Sequence, residues 1–453
     1  MQRIRELLTI ILLGLLPFHA LLVTIGTKMM LGPGQAPMPM LALWKEVVLG
    51  IILLIACIEI VVSCQLSVAR KTPRTENRQP RTDLIDWLIV SLIALSVVVT
   101  ASTHGDWRLY LIGFKYDFVP LVAFVALRRV AWSDLFIERV YKVLLAVAVA
   151  VAVFGMIAMH ISQEFFLWLG YSDLHSLYNP DSPLAAFQQI GGSSIRRMQS
   201  TMSGPNQLGL WLLLPFSIVL TCKKGVGSWG LVAGVFVLVA MFMSLSRSAL
   251  LAAGVIVVVL LWKQFPRKRF FQFAGTLFCM SFVLLFAIQA FVPSVVSRSA
   301  STKDHISRPI EALQTIIKNP LGLGLGTAGP ASNRTSDTCV HLEEGSDPLW
   351  AQTHPNLCVF VGGTQVQPVD GACSCPLLPE NWYLQMGVEM GVLGFVLFVM
   401  LTILILRKLP KGSPVFLAFL GVSIAALFLH AWEDATVAYT VWILLGLFIP
   451  PPR

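Results

Sequence analysis

"LIDWLIVSLIALSVVVTAS", residues 84–102, carries a single charge, Asp86, in an otherwise apolar run. As a helix this stretch rises roughly 28 Å, which matches a hydrocarbon layer of about 30 Å. Just before it, residues 67–83 hold Arg70, Lys71, Arg74, Arg78 and Arg81. A greasy run behind a basic connector is the pattern of a helix that enters the membrane from its cytoplasmic side. The same reading extends to the whole chain. Its 453 residues are 56% hydrophobic and only 13% charged, with mean hydropathy +0.75, which excludes an ordinary soluble protein.

Apolar runs recur at about 6–26, 46–66, 84–102, 109–127, 143–162, 206–221, 229–245, 248–262, 270–292, 386–406, 413–430 and 436–450. They predict an all-α polytopic membrane protein with about twelve transmembrane helices. Arg3 and Arg5 precede the first run as they would precede a signal peptide, but no small-x-small cleavage site follows, so it reads as a span. With the N-terminus inside, connectors 67–83, 128–142, 222–228, 263–269 and 407–411 hold most of the 33 Lys and Arg residues. The net charge of +9 is therefore mainly a topology signal and makes no case for nucleic acid.

Two outer connections are long. Residues 163–205 join the fifth and sixth spans, and residues 293–385 form one large outer loop between spans 1–9 (residues 1–292) and spans 10–12 (residues 386–453). Within the loop, Pro309 in a first turn and Ile310, Leu313, Ile316 and Ile317 at helical spacing predict a short amphipathic helix that stops at Asn319-Pro320. "LGLGLG", 321–326, lacks the strand that a dinucleotide site needs and reads as a hinge. Cys339, Cys358, Cys373 and Cys375 all lie in the large loop, where an oxidising compartment predicts at least one disulfide among three possible pairings. Cys-x-Cys is poor zinc spacing, so no metal site is expected there.

Chemistry is expected where charge lies at an outer surface without a topological reason. Arg196 and Arg197 stand in "SSIRRMQSTMSGPNQLG", 193–209, and Arg247 in "SLSRSALL", where two spans meet almost without a loop. Such arginines either anchor in membrane-lipid headgroups or hold a lipid diphosphate through their planar forks. "PENWYLQMGVEMGVLGF", 379–395, places Glu380 and Asn381 at a helix start with Trp382 and Tyr383 at interfacial depth. It reads either as a capped helix behind an aromatic belt or as a carboxylate poised for acid–base work. Glu389 lies deeper in the same span, and an intramembrane carboxylate invites a functional reading.

Taken in order, "GFKYDFVPLVAF", "RRMQSTMSGPNQLG", "SLSRSALLA", "RPIEALQTIIKNPLGLGLG", "ENWYLQMGVEMGVLG" and "HAWEDATVAYTVWILLG" resemble the landmarks of the O-antigen ligase and polysaccharide polymerase family over residues 110–450. The resemblance implies a GT-C-like glycosyltransferase of the bacterial inner membrane, its active site facing the periplasm, with no cofactor and no required metal. Its donor would be an undecaprenyl-diphosphate-linked glycan, and its acceptor another lipid-linked glycan or lipid A–core. Carried over by position, Arg197 and Arg247 hold the donor diphosphate, with Arg196 and Arg308 as weaker candidates. Asn381 matches the asparagine of a His-Asn pair in ligases, where this chain has Glu380 in place of the histidine. That departure leans towards polymerisation. His354 is an alternative imidazole, and Glu433 and Asp434 match an acidic spot without a derivable role. Two other classes fit less well: a lipid-linked glycan transporter, which predicts resemblance between halves and mid-membrane charge, and a scaffold whose outer loop binds a partner.

Overall fold

Polar side-chain caps set several of the helix starts. Asp83 caps the helix Leu84–Ser102 through a reciprocal capping box with Asp86, Asp106 caps Trp107–Asp117, Asn381 caps Trp382–Lys408 and Asp434 caps Ala435–Phe448. The computed structural model describes residues 1–69, 82–172, 183–190, 195–221, 229–273, 275–276, 299–334, 336–342, 352, 355 and 357–451. The protein is mostly helical. Among the described residues, five helical segments are long and apolar enough to cross a membrane: Gln2–Leu31, Leu84–Ser102, Asp134–Ala158, Arg247–Gln264 and Trp382–Lys408. The pair Trp107–Asp117 and Val119–Leu127, bent by 46°, makes a sixth if counted as one. Pro205–Thr221, Trp229–Ser244, Pro414–Ala425 and Ala435–Phe448 are shorter apolar helices, and most of the expected span 270–292 lies outside the described residues.

Side-chain burial follows what lipid demands. Small and apolar residues close the interior: a Cβ on Gly421 would meet Ile256 and Leu213, so Pro414–Ala425 sits tightly against two neighbouring helices. Meanwhile Leu54, Val98, Leu231 and Phe242 are exposed on outward faces. In a bilayer those faces meet acyl chains, and van der Waals packing within the bundle supplies specificity.

Four features differ from the sequence reading. The helix expected near 143–162 begins at Asp134, which moves Arg139 and Lys142 from a connector onto the helix; Ser133 at its cap is held by Glu6 through two hydrogen bonds, of 2.8 and 2.9 Å. The helix expected to start at Pro309 runs Ser299–Lys318 with Pro309 inside it. The large loop also contains strand: Cys339–Leu342 pairs in parallel with Cys358–Val361, which pairs antiparallel with Thr364–Gln367. Disulfides Cys339–Cys375 and Cys358–Cys373 join two adjacent strands of this sheet to the segment that leads into Trp382–Lys408. A purely helical reading misses it because the strands are four residues each, too short for an alternating pattern to stand out.

The fourth difference is the glycine run, which is a wedge and not a hinge. The helix Trp382–Lys408 breaks at Met390 and Gly391, where φ/ψ leave the helical region. Residues 320–326 fill the break: Leu323 and Gly324 amides donate to the Val388 and Glu389 carbonyls at 2.9 and 3.0 Å, and the Val392 amide donates to Pro320 O at 3.0 Å. The groups freed by the break are thus re-satisfied by protein, as backbone at membrane depth requires. Gly322 has φ of +95°, and a Cβ there would collide with the backbone of Glu389 and Gly391, so only glycine fits. The Glu389 carboxylate accepts from the Gly326 amide at 2.9 Å, which makes it the clamp of this wedge.

Candidate active site

The start of Trp382–Lys408 is fixed on both sides of Asn381. Its Oδ1 accepts from the Leu384 amide and its Nδ2 donates to Leu427 O, both at 3.0 Å. The next amide, of Trp382, donates to Ala426 O at 2.9 Å. Both ends of the Asn381 side chain are therefore engaged in tying this helix to the end of Pro414–Ala425. Trp382 and Tyr383 are buried in the bundle, with the Tyr383 hydroxyl on Ser423 O at 2.9 Å, where interfacial depth was expected.

Glu380 precedes that cap with φ of +53°, a left-handed conformation that costs a side-chain-bearing residue free energy and persists only when its surroundings fix it. The helix Ser299–Lys318 supplies those surroundings. Arg308 Nη1 donates to Glu380 Oε1 at 3.0 Å, and His305 Nδ1 lies 3.6 Å from Oε2. Glu380 is mostly buried, while Arg308 and His305 are partly open. The third wall is the loop after Pro414–Ala425, where His430 Nδ1 lies 2.7 Å from Gln385 Oε1. Burial, then the nearby Arg308 guanidinium and His305, push the His430 imidazole down to about 3, so it is neutral at ordinary pH.

Arg196 and Arg197 separate, because neighbours on a strand point to opposite faces. They form a two-residue strand against Gln188–Gln189. Arg196 stacks over Phe187, 4.0 Å from the ring centre, and donates to Ile161 O. Arg197 turns the other way. Its Nε donates to Ser244 O at 3.2 Å and its Nη2 to Asn206 Oδ1 at 2.7 Å, so its charge sits at the negative end of the helix Trp229–Ser244. Leu245, at φ of +49°, makes the sharp turn, and Arg247 opens the next helix with an exposed side chain. Arg197 and Arg247 thus flank one turn, and Arg308 and Glu380 form a separate pair. Lys263, at the end of Arg247–Gln264, donates to Lys411 O just before Pro414–Ala425, and Gly209 lies against Ser246 and Ala249, so the starts of Pro205–Thr221 and Arg247–Gln264 and the end of Pro414–Ala425, where Asn381 is tied, belong to one end of the bundle.

His354 lies outside the described residues. Among the described residues, no group of three or more His, Cys, Asp or Glu side chains is arranged to hold a metal ion. Glu433 is buried with both carboxylate oxygens unpartnered among the described residues. Its neighbour Asp434 caps the last helix by accepting from the Val437 amide at 2.9 Å. His305, Gln385 and His430 escape a reading of the sequence; the one signal is that His430 and Glu433 share the short polar interruption "HAWED" between apolar runs.

No protein-family model matches this chain, and no curated protein is significantly similar to it.

Proposed function

We propose that this chain is a membrane glycosyltransferase that moves a glycan from undecaprenyl diphosphate to an acceptor hydroxyl, extending a lipid-linked polysaccharide. In this reading it has twelve spans in a GT-C-like arrangement, resides in the inner membrane and works at the end of the bundle bearing Glu380, on the periplasmic side. The observation that carries the proposal is the placement of a strained, ion-paired carboxylate at the same end as arginines on the Ser244–Arg247 turn. The partly open Arg308 and exposed Arg247 are suited to the diphosphate, whose developing charge two such donors would stabilise as it leaves. Glu380 orients the acceptor hydroxyl, and Asn381 holds Glu380 in place by anchoring the helix behind it. Arg196, stacked on Phe187, is left with a structural part.

His305, 3.6 Å from the Glu380 carboxylate, supports a second reading. It returns an imidazole to the neighbourhood where the ligases that the sequence resembles carry histidine, and so favours transfer to lipid A–core. One assay separates the two. Purified protein in liposomes receives undecaprenyl-diphosphate glycan as the only glycan source, with or without lipid A–core, and the products are sized. A ladder of lengthened lipid-linked glycan without lipid A–core identifies a polymerase; product that forms only with it identifies a ligase; no transfer in either arm refutes both.

A further inference from the structure

The helix Ser299–Lys318 has three faces of different character around its axis. Arg308 and His305 meet Glu380, and Ala312 and Ile316 pack on Val388, so these four mark the face turned to the bundle. Ser307, Glu311, Gln314 and Lys318 form an exposed polar face. The third face is apolar. Ile306, Ile310, Leu313 and Ile317 fall within about 60° of arc, yet each is 49–71% exposed. A helix that met only protein and water would need two faces. Single exposed apolar side chains are ordinary, but four in one unbroken line mark a surface with a partner of its own.

The partner follows from where the line leads. Leu321, just beyond the helix, is exposed, and the Val392 amide donates to Pro320 O at 3.0 Å, so the apolar line runs on to Val392, Leu393 and Val396, which are also exposed. These lie on residues 391–408, which alone rise about 27 Å, close to the thickness of a hydrocarbon layer. The half before the break leaves that axis. A straight helix would hold Met386 and Gly394 about 12 Å apart, but a Cβ on Gly394 would meet the Met386 carbonyl oxygen at 3.0 Å, and the Trp382 and Phe398 rings lie 5.5 Å apart. Residues 382–389 therefore turn sharply aside at the head of the span. Ser299–Lys318 runs beside them, with Arg308 at Glu380 and Ile316 against Gly387. The level of this layer is set by Leu325, whose amide donates to Thr100 Oγ1 at 3.2 Å near the Ser102 end of Leu84–Ser102. Exposed Trp107 follows that end, as aromatic residues do at a membrane boundary.

We propose that Ile306, Ile310, Leu313 and Ile317 are a lipid-contact surface. Ser299–Lys318 lies in the plane of the membrane at its Ser102-side boundary, with phospholipid acyl chains against the apolar face, headgroups and water against the polar face, and Glu380 against the third. An apolar face of this kind sinks about 5–10 Å below the headgroup boundary. The bilayer thereby supports the helix that brings Arg308 and His305 to Glu380, and the Glu380 cluster sits at headgroup level. The inference rests on the chain being a membrane protein and needs no transferase activity.

The test uses the full chain in phospholipid liposomes. A nitroxide carried on p-acetylphenylalanine is placed singly at Ile310, Leu313, Ile317, Glu311 or Gln314, which leaves every cysteine in place, and each protein is checked for folding by size exclusion. Collisions with oxygen, which concentrates among acyl chains, are compared with collisions with a water-soluble nickel chelate. Oxygen is expected to dominate at Ile310, Leu313 and Ile317, at one common depth of about 5–10 Å, and nickel at Glu311 and Gln314. Nickel dominating at the three apolar positions would put that face in water, and protection from both reagents would put protein over it, such as a second copy of this chain; either result overturns the proposal. So does a depth that changes by about 1.5 Å per residue from Ile310 to Ile317, since the helix would then stand upright. A benzophenone side chain at Leu313 supplies a second readout: cross-links to phospholipid are expected, and cross-links to protein instead overturn the assignment. None of these readings depends on glycan transfer, so failure of the transferase reading and failure of this inference are distinguishable.

Discussion

The two ends of the helix Trp382–Lys408 each gather arginine and carboxylate, and they differ in how completely the charges are closed off. At the Lys408 end, Asp83 receives Arg128 at 2.9 Å and also Lys408, while Asp86 receives Arg128 at 3.1 Å and Arg129 at 2.7 Å. The remaining Arg128 donor, Nε, reaches Ile449 O at 2.9 Å, so one fully buried guanidinium ties together three parts of the chain. At the Glu380 end, one carboxylate sits at positive φ between the partly open Arg308 and His305, beside a neutral imidazole whose Nε2 faces no described donor. Closed pairing of this kind serves architecture. A strained, partly open cluster with an unused acceptor holds its geometry for something else.

The contrast predicts where substitutions separate stability from activity. The largest effect is expected from Arg128→Ala, which leaves Asp83 and Asp86 buried without their shared partner and destabilises the fold by about 3–5 kcal/mol. Thermal unfolding in detergent measures it, and an unchanged Tm would break the comparison at its structural end. Next comes Glu380→Gln, expected to lower glycan transfer about 10²-fold or more while changing Tm little. Stability would fall instead if the ion pair with Arg308 were the purpose of Glu380.

Glu380→Gly sharpens the point, since it relieves a left-handed conformation that glycine adopts freely. Its backbone gain is roughly 1 kcal/mol, set against loss of the ion pair, so the protein is expected to stay at least as stable and to be inactive. The smallest effect concerns pH. Burial opposes the charge on Asp83, but hydrogen bonds from Arg128 and Lys408 hold its carboxyl well below the usual range. A depressed folded value contributes stability that is complete above the ordinary carboxylate value of about 3.9 and is lost as pH falls through the depressed one. Wild type should therefore lose Tm below about pH 4, and Asp83→Asn should flatten that slope while lowering Tm at neutral pH.

Much of the architecture is legible in the sequence because it is local. Apolar runs locate the helices, Asn381 stands at an expected helix start, and four cysteines in one segment announce cross-linking, whereas the caps of Asp83 and Asp434 emerge only in the structure. The break at Met390–Gly391 is invisible, since a glycine inside an apolar run looks like ordinary small-residue packing; only the arrival of residues 320–326 makes it a break. The two roles of the Arg196–Arg197 pair separate through strand alternation and through a helix end more than forty residues away, at Ser244. His305 and His430 escape for the same reason, because their contacts with Glu380 and Gln385 arise only after distant segments pack together.

The most direct test sets the two ends of one helix against each other in the same liposomes. Initial rates of transfer from undecaprenyl-diphosphate glycan are measured for wild type, Glu380→Gln and Lys408→Met, each normalised to folded protein. The account predicts near-wild-type transfer for Lys408→Met and a loss of at least about 10²-fold for Glu380→Gln, as expected when a group acting in the transition state is removed. Equal rates in the two variants would contradict it, since the Glu380 end would then be a second structural staple and the active site would have to lie elsewhere.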